Sequence, residues 1–310
     1  YTSHDKDHPH GYDMQDWNCL SSSDMVNWRD EGIAFSLQNT TWAQNMHAWA
    51  QQVVALPNGT FVMYFPAMGA GGGVGVAAAS HPAGPFAQAT DGPLNGTDGA
   101  DDPTVFIDLD GRAYVCVNKG GPLCGQLNED LVSWKSPPKL LAGFAHGDDD
   151  GGRWHYFEAP WLMRHADQYF LSYMMEYSDC PGNNGQRIAS PNCTWSHGGF
   201  DIGYAVAPTT AAGPLAAEFV PQVDSLMWSP PTGYNNHQGI CEFPAGSGDF
   251  YMFYHSCWFS NGDGQRRNVG VDRLYFNGEA PSFRSATAFR PWSVSVGVAR
   301  VPTCWLTAQT

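Results

Sequence analysis

Two carboxylates open equivalent hairpins in this chain. Asp102-Pro103 stands before TVFIDLDGRAYVCVN, and Glu158-Ala159-Pro160 before WLMRHADQYFLSYMM. Trp49-Ala50 heads a third such hairpin, QQVVALPNGTFVMYFPA, and Asn236-His237 a fourth, QGICEFPAGSGDFYMFYH. Paired carboxylates suit glycosidic-bond hydrolysis: one protonates the leaving oxygen, and the other activates water or attacks the sugar. An acid that works near neutral pH needs its pKa raised by burial or by a neighbouring like charge. Glu158 has that setting, between His155-Tyr156-Phe157 and Pro160-Trp161. The structural alternative is a Glu paired to an Arg. Asp102 gains weight from its place at an equivalent hairpin head, although an Asp-Pro turn alone is ordinary. Pro103 keeps Asp102 out of the helical conformation.

Other polar groups cluster around this scheme. His237 at a hairpin head reads as a central hydrogen-bonding residue or a metal contact. Arg266 and Arg267 read either as a solvated pair or as guanidinium groups that reach sugar hydroxyls and pair with a carboxylate. Trp49 is a stacking platform or a core residue. His4-Asp5-Lys6-Asp7-His8-Pro9-His10 reads as a polar active-site loop, and Gly147 to Gly152 as a solvated turn.

These residues need an array to bring them together. Each hairpin joins two apolar, aromatic-rich strands, and hairpin starts recur at about 50 to 80 residues, a period that fits propeller blades. A second repeat interleaves. Ser23-Asp24-Met25-Val26-Asn27-Trp28 parallels Glu129-Asp130-Leu131-Val132-Ser133-Trp134, and the loop ending Gly84-Pro85-Phe86 parallels the one ending Gly213-Pro214-Leu215. Tyr1-Thr2-Ser3 reads as the second strand of a further copy whose head is missing. The expected fold is all-β, a five-bladed β-propeller with its first blade incomplete at the N-terminus, in a single domain over 1–310. Residues 283–310 fit the repeat poorly, with Trp292 to Val298 a candidate last strand. Asp179 to His197 reads as a long insertion.

Composition agrees. The chain has 310 residues with 12 Trp, 13 Tyr, 17 Phe, 35 Gly and 22 Pro, and only 15% charged residues, which suits short strands and turns over helical bundles. A net charge of −15 disfavours nucleic acid as a partner. No apolar run is long enough to span a membrane as a helix. Eight cysteines and the sequons at Asn39, Asn58, Asn95 and Asn192 point to a secreted glycoprotein with disulfides. Cys180 and Cys193 are the first candidate pair.

Together these motifs resemble glycoside hydrolase family 43, the inverting five-bladed propeller enzymes. Tyr1 to Asp5, Met14-Gln15-Asp16-Trp17 and Ser21 to Trp28 look like that family's first blade. The resemblance implies that Glu158 is the general acid and Asp102 its pKa modulator. It implies sugar contacts from Trp49, His237, Arg266, Arg267 and Asp16. No cofactor is required on this reading, though a structural calcium or other ion can sit near His237. The family's general base lies on the first strand, upstream of the Tyr-Thr-Ser segment. That strand is outside this sequence, so the general base is absent from the chain as given and turnover is expected to suffer.

The implied enzyme is an exo-acting α-L-arabinofuranosidase or β-xylosidase of arabinose- or xylose-containing plant glycans, expected to act as a monomer. A non-catalytic carbohydrate-binding propeller shares every aromatic and turn feature. A retaining, fructan-active propeller fits less well, because Asp101 precedes Asp102 where that group has Arg, and Ala159 follows Glu158 where it has Cys.

Overall fold

A computed structural model describes residues 1–5, 12–69, 71–144, 155–176, 200–222, 226–227, 237–256, 266–277, 280–282 and 300–302. Five four-stranded antiparallel sheets make up the fold, and no α-helix occurs among the described residues. The first blade carries β1 (Thr2–His4), β2 (Asp16–Ser21) and β3 (Arg29–Ser36). The second has β4 (Gln52–Ala55), β5 (Phe61–Ala67), β6 (Gly73–Ala79) and β7 (Ala87–Gln88). The third has β8 (Asp101–Ile107), β9 (Ala113–Asn118), β10 (Pro122–Gln126) and β11 (Lys139–Leu140). The fourth has β12 (His155–His165), β13 (Gln168–Glu176), β14 (Phe200–Pro208) and β15 (Val220–Pro221). The fifth has β16 (Gln238–Glu242), β17 (Phe250–Ser256), β18 (Asn268–Asn277) and β19 (Ala280–Ser282).

The expected open edge of the first blade is closed. A last strand, β20 (Arg300–Pro302), pairs antiparallel with β1, with Ser3 opposite Val301 and His4 opposite Arg300. Its place corresponds to that of β4, β8, β12 and β16 in the other blades. Joining the two ends of the chain in one sheet covers the backbone donors and acceptors that a free edge would expose. The segment 283–299, with the candidate strand Trp292 to Val298, lies outside the described residues.

The core is a ring of interblade clusters. Trp17, Phe35 and Phe65 fill the space between blades one and two, and Val54, Tyr64, Val105 and Val115 that between two and three. Phe106, Tyr169 and Tyr173 pack between three and four, and Trp161, Phe170, Ile240 and Met252 between four and five. Cys241, Phe253 and Val271 meet Met25 and Trp28 of the first blade, which completes the circle. Both faces of an inner strand are therefore buried, so the hairpins read as nearly continuous apolar runs.

Side chains also stitch the inner strands together. The Gln52 carboxamide oxygen accepts from Val105 N (2.8 Å) and Thr104 Oγ1 (2.9 Å), and Gln238 Nε2 donates to Ala159 O (2.8 Å). The interleaved repeat is real at atomic level. Asp24 and Asp130 each accept two backbone N–H bonds from the turn that follows, with Met25 and Leu131 both at positive φ. Cys116 and Cys124 form a disulfide across β9 and β10, and Cys241 is disulfide-bonded as well. Cys19 is a buried free thiol. Cys180, Cys193, the Asn192 sequon, the loop 147–152 and the whole 179–197 insertion lie outside the described residues.

Candidate active site

The acidic heads are shaped by breaks in strand pairing. On β12, Tyr156 pairs with Met175 but Glu158 pairs with Met174, so Phe157 is one residue extra. From Glu158 to Trp161, three steps on β12 again match two on β13. A one-residue slip flips a side chain to the other face of a sheet. The first bulge thus turns Glu158 away from the face that Tyr156 uses to pack on Phe144 and Tyr173. The second restores the phase, so that Trp161 returns to the core. On β8, the step from Asp101 to Thr104 shows the same three-against-two slip.

Both slips centre on a residue with positive φ just before a proline: Asp102 (47°) and Ala159 (60°). An L residue pays about 1–2 kcal/mol for that conformation, with Asp more tolerant than Ala. This alignment corrects an expectation. Asp102 is equivalent in the backbone to Ala159, and the residue equivalent to Glu158 is Asp101.

The structure nonetheless brings Asp102, Glu158 and His237 together. One polar atom from each lies within 4.8 Å of the other two. Asp102 is buried, while Glu158 and His237 are half-buried. Asp102 Oδ2 accepts the Ala159 N–H at 3.1 Å, which ties Asp102 to the residue after Glu158. Asp101 Oδ1 accepts from Asn118 Nδ2 at 2.9 Å, and the Tyr156 hydroxyl donates to Asn118 Oδ1 at 3.4 Å.

Burial is the main cause of the proton affinity here. It pushes Glu158 up to about 7, helped by the Asp101 charge and opposed by Arg267. Burial also raises Asp102 well above the ordinary carboxylate range, followed by the charges of Asp101 and Glu158. Asp101 is raised by burial and eased back by Asn118. These groups titrate together and hold a shared proton into the neutral range. The Ala159 N–H eases Asp102 back in part, and no donor to Glu158 is found among the described residues.

Arg267 is buried and does not stand open as a sugar ligand. Its Nη2 meets Asp5 Oδ1 at 2.5 Å and its Nε meets Asp5 Oδ2 at 3.0 Å, with its own backbone N–H on Oδ2 at 2.8 Å. The guanidinium also lies over the Tyr12 ring at 5.1 Å and touches His255 Nδ1 at 3.5 Å. With that charge paired to Asp5, Arg267 offsets only part of the burial that raises Asp102 and Glu158. His237 is pushed down to about 3 by burial and then by Arg267, so it is a neutral imidazole at working pH. Buried His255 is lowered too, by burial, Arg267 and His237.

Trp49 is half-buried, donates from Nε1 to Tyr12 O at 2.8 Å, and lies against the His47 ring at 4.7 Å. His47 in turn meets Asp13 at 3.3 Å. Asp16 pairs with His4 at 3.0 Å, and Arg266 is exposed. Asn236, Asp7, His8 and His10 lie outside the described residues. Sequence reasoning missed Asp101, Tyr12 and His255, and placed Asp5 in a polar active-site loop without its Arg267 partner. The doubled acid in Ala100-Asp101-Asp102-Pro103 was the one available signal, since the others depend on contacts between distant segments.

The donor set does not suit a calcium ion held directly by the trio. Calcium takes six to eight oxygen ligands, whereas this group offers one nitrogen and two carboxylates, one of which carries the proton. No step is therefore assigned to a metal.

Comparison with known proteins agrees with the fold. The family model described as "Glycosyl hydrolases family 43" matches residues 2–281. The xylosidase/arabinosidase 43A of Humicola insolens is 25% identical, over 89% of this chain and 89% of its own length. The β-D-galactofuranosidase xynD of Aspergillus niger is 26% identical, over 84% of this chain and 72% of its own. Among solved structures, a GH43 β-xylosidase/α-arabinofuranosidase from a compost microbial metagenome, in complex with xylotriose in a calcium-free form, superposes with a TM-score of 0.68. It is 25% identical and covers 90% of this chain and 87% of its own.

Proposed function

Because the chain belongs to glycosyl hydrolases family 43, we propose that it is an exo-acting glycosidase of xylose- or arabinose-containing plant glycans, with Glu158 as its general acid. The convergence of Asp102, Glu158 and His237 within 4.8 Å carries this reading, together with an acid whose proton persists to about pH 7. Glu158 gives its proton to the glycosidic oxygen as the bond to the anomeric carbon breaks, while a water oxygen bonds to that carbon from the opposite face and releases its proton to solvent, no described residue being assigned as the base. Ionised Asp102 keeps that proton on the acid until the leaving group needs it. Neutral His237 is placed to hydrogen-bond a sugar hydroxyl without adding charge.

Asp102 is not the base of an inverting reaction. Such enzymes hold acid and base about 6.5–9.5 Å apart to admit the attacking water, and Asp102 is closer to Glu158 than that. Nor does its setting favour a nucleophile, since it is buried and bonded to Ala159, the residue after the acid. Asp5 and Asp16 at the first blade are engaged by Arg267 and His4. Xylose or arabinose as the substrate sugar is supported by the named activities of the relatives. The Cys116–Cys124 disulfide and the exposed Asn39, Asn58 and Asn95 support an extracellular glycoprotein.

A panel of aryl β-xylosides, α-arabinofuranosides and galactosides tests the reading, with the anomer of the first-formed product followed by proton NMR. Release of a pentose with inversion is expected, at a rate reduced by the lack of an assigned base. Binding of xylo-oligosaccharides without turnover of any panel member would replace the enzyme with a carbohydrate-binding propeller.

A further inference from the structure

The two bulged heads place a third carboxylate where the acid's own backbone position recurs. Asp101 has the pairing slip of Glu158, the same positive-φ residue and proline after it, and a place on the neighbouring inner strand. It is held through Asn118, which is itself held by Tyr156. Asn118, its cross-strand partner on β9, donates to it at 2.9 Å, and Tyr156, two residues before the acid, reaches the same Asn118 at 3.4 Å. One asparagine and one half-buried tyrosine thus hold a carboxylate that the two-residue acid and modulator scheme leaves without a task.

We infer that Asp101 is a positioning residue for this acid: with Asn118 and Tyr156 it forms a relay between β8 and β12 that sets the pH up to which Glu158 stays protonated. The inference rests on the glycosidase reading above and extends it from two carboxylates to three. The groups that face Glu158 are Asp101 and Asp102 from β8, Tyr156 from its own strand, His237 ahead of β16, and Arg267 ahead of β18. His237 is neutral, and Arg267 is matched by Asp5. Asp101 is thus the leading charge effect on Glu158, and it acts in the direction the acid requires.

The sign is definite. Removing the Asp101 charge makes the ionised form of Glu158 easier to reach, so the alkaline limb of the rate profile moves to lower pH. For the full chain, D101N should lose less activity at pH 5 than at pH 7.5. It should lower kcat/KM at pH 7.5 by roughly three- to ten-fold, the scale expected of one nearby like charge. D101E should keep the wild-type limb. Asn118→Ala should move it in the same direction by less, because Asp101 loses the donor that favours its ionised form. A carbon-13 titration of Glu158, assigned with E158Q, reads the same shift without turnover.

A titration that moves in D101N while no pentoside is hydrolysed would sustain the positioning role and remove the glycosidase reading. A titration and a pH profile that stay in place in D101N would overturn the role itself. If D101N does not fold, the Asn118→Ala titration decides, and an unmoved midpoint there counts against the inference.

Discussion

At the head of the third blade the residue before the proline is Asp102, and at the head of the fourth it is Ala159. The backbones match: each has positive φ, a proline, and three residues set against two on the partner strand. The carboxylates differ by one place. The fourth blade carries its acid one residue earlier, where the bulge turns it out beside His237. The third carries acids at both places, one aligned with Glu158 and one rolled under it to meet the Ala159 N–H. A repeated backbone thus yields unlike roles, because a one-residue offset across a bulge decides which way a charge points.

The largest expected effect comes from the fourth head. Glu158→Gln should lower kcat/KM on unactivated glycosides by about 10²–10⁴, the usual contribution of a general acid. At the third head, Asp102→Asn should cost about 10² or less, and it should lower the alkaline limit of activity. Steady-state pH profiles of both variants check the ranking, and an Asp102→Asn loss larger than that of Glu158→Gln would break the comparison.

A third prediction contrasts these uncompensated acids with the paired one at the first blade. Arg267→Met leaves Asp5 buried without its cation, which should destabilise the fold by about 3–5 kcal/mol. Denaturant melts measure this. Asp102→Asn, by contrast, should hold or gain stability, because it removes a charge the fold disfavours.

A smaller effect follows from linkage. The Glu158 pKa is raised in the fold, so the native state binds its proton more tightly than the unfolded chain does. Its contribution to stability is full below the unfolded pKa of about 4.3 and is lost as pH rises towards about 7. Melting temperature should decline across that window in the wild type and more gently in Glu158→Gln. The smallest effect lies at Ala159. Replacing it with Gly relieves the positive φ but adds unfolded-state entropy, a net gain of about 0.5 kcal/mol at most, readable as a slightly higher melting temperature.

Much of this was legible beforehand because it is local. The hairpins at Gln52, Asp101, His155 and Gln238 announce themselves as apolar runs broken by turns, and Glu158 stands out as a carboxylate among aromatics. The one-residue offset was not legible, since a bulge is defined by the opposite strand and neither Met174 nor Met175 is identifiable as the partner from sequence. The Asp5–Arg267 pair joins residues at opposite ends of the chain, so no spacing rule reaches it. The closure of the first blade by Arg300–Pro302 depends on the ring as a whole. Short segments without alternation, such as that one, carry no strand signal of their own.

The central claim is that Glu158 supplies the proton to the leaving group. The dependence of Glu158→Gln on leaving-group acidity tests it most directly. Kinetics should be compared on xylobiose and on a dinitrophenyl xyloside, with the pentose matched to whichever the wild type prefers. A leaving group that departs as a stable anion needs no proton, so the variant should stay within about ten-fold of wild type on the activated substrate while losing about 10²–10⁴ on the disaccharide. Equal losses on both substrates, or none on the disaccharide, would contradict the assignment.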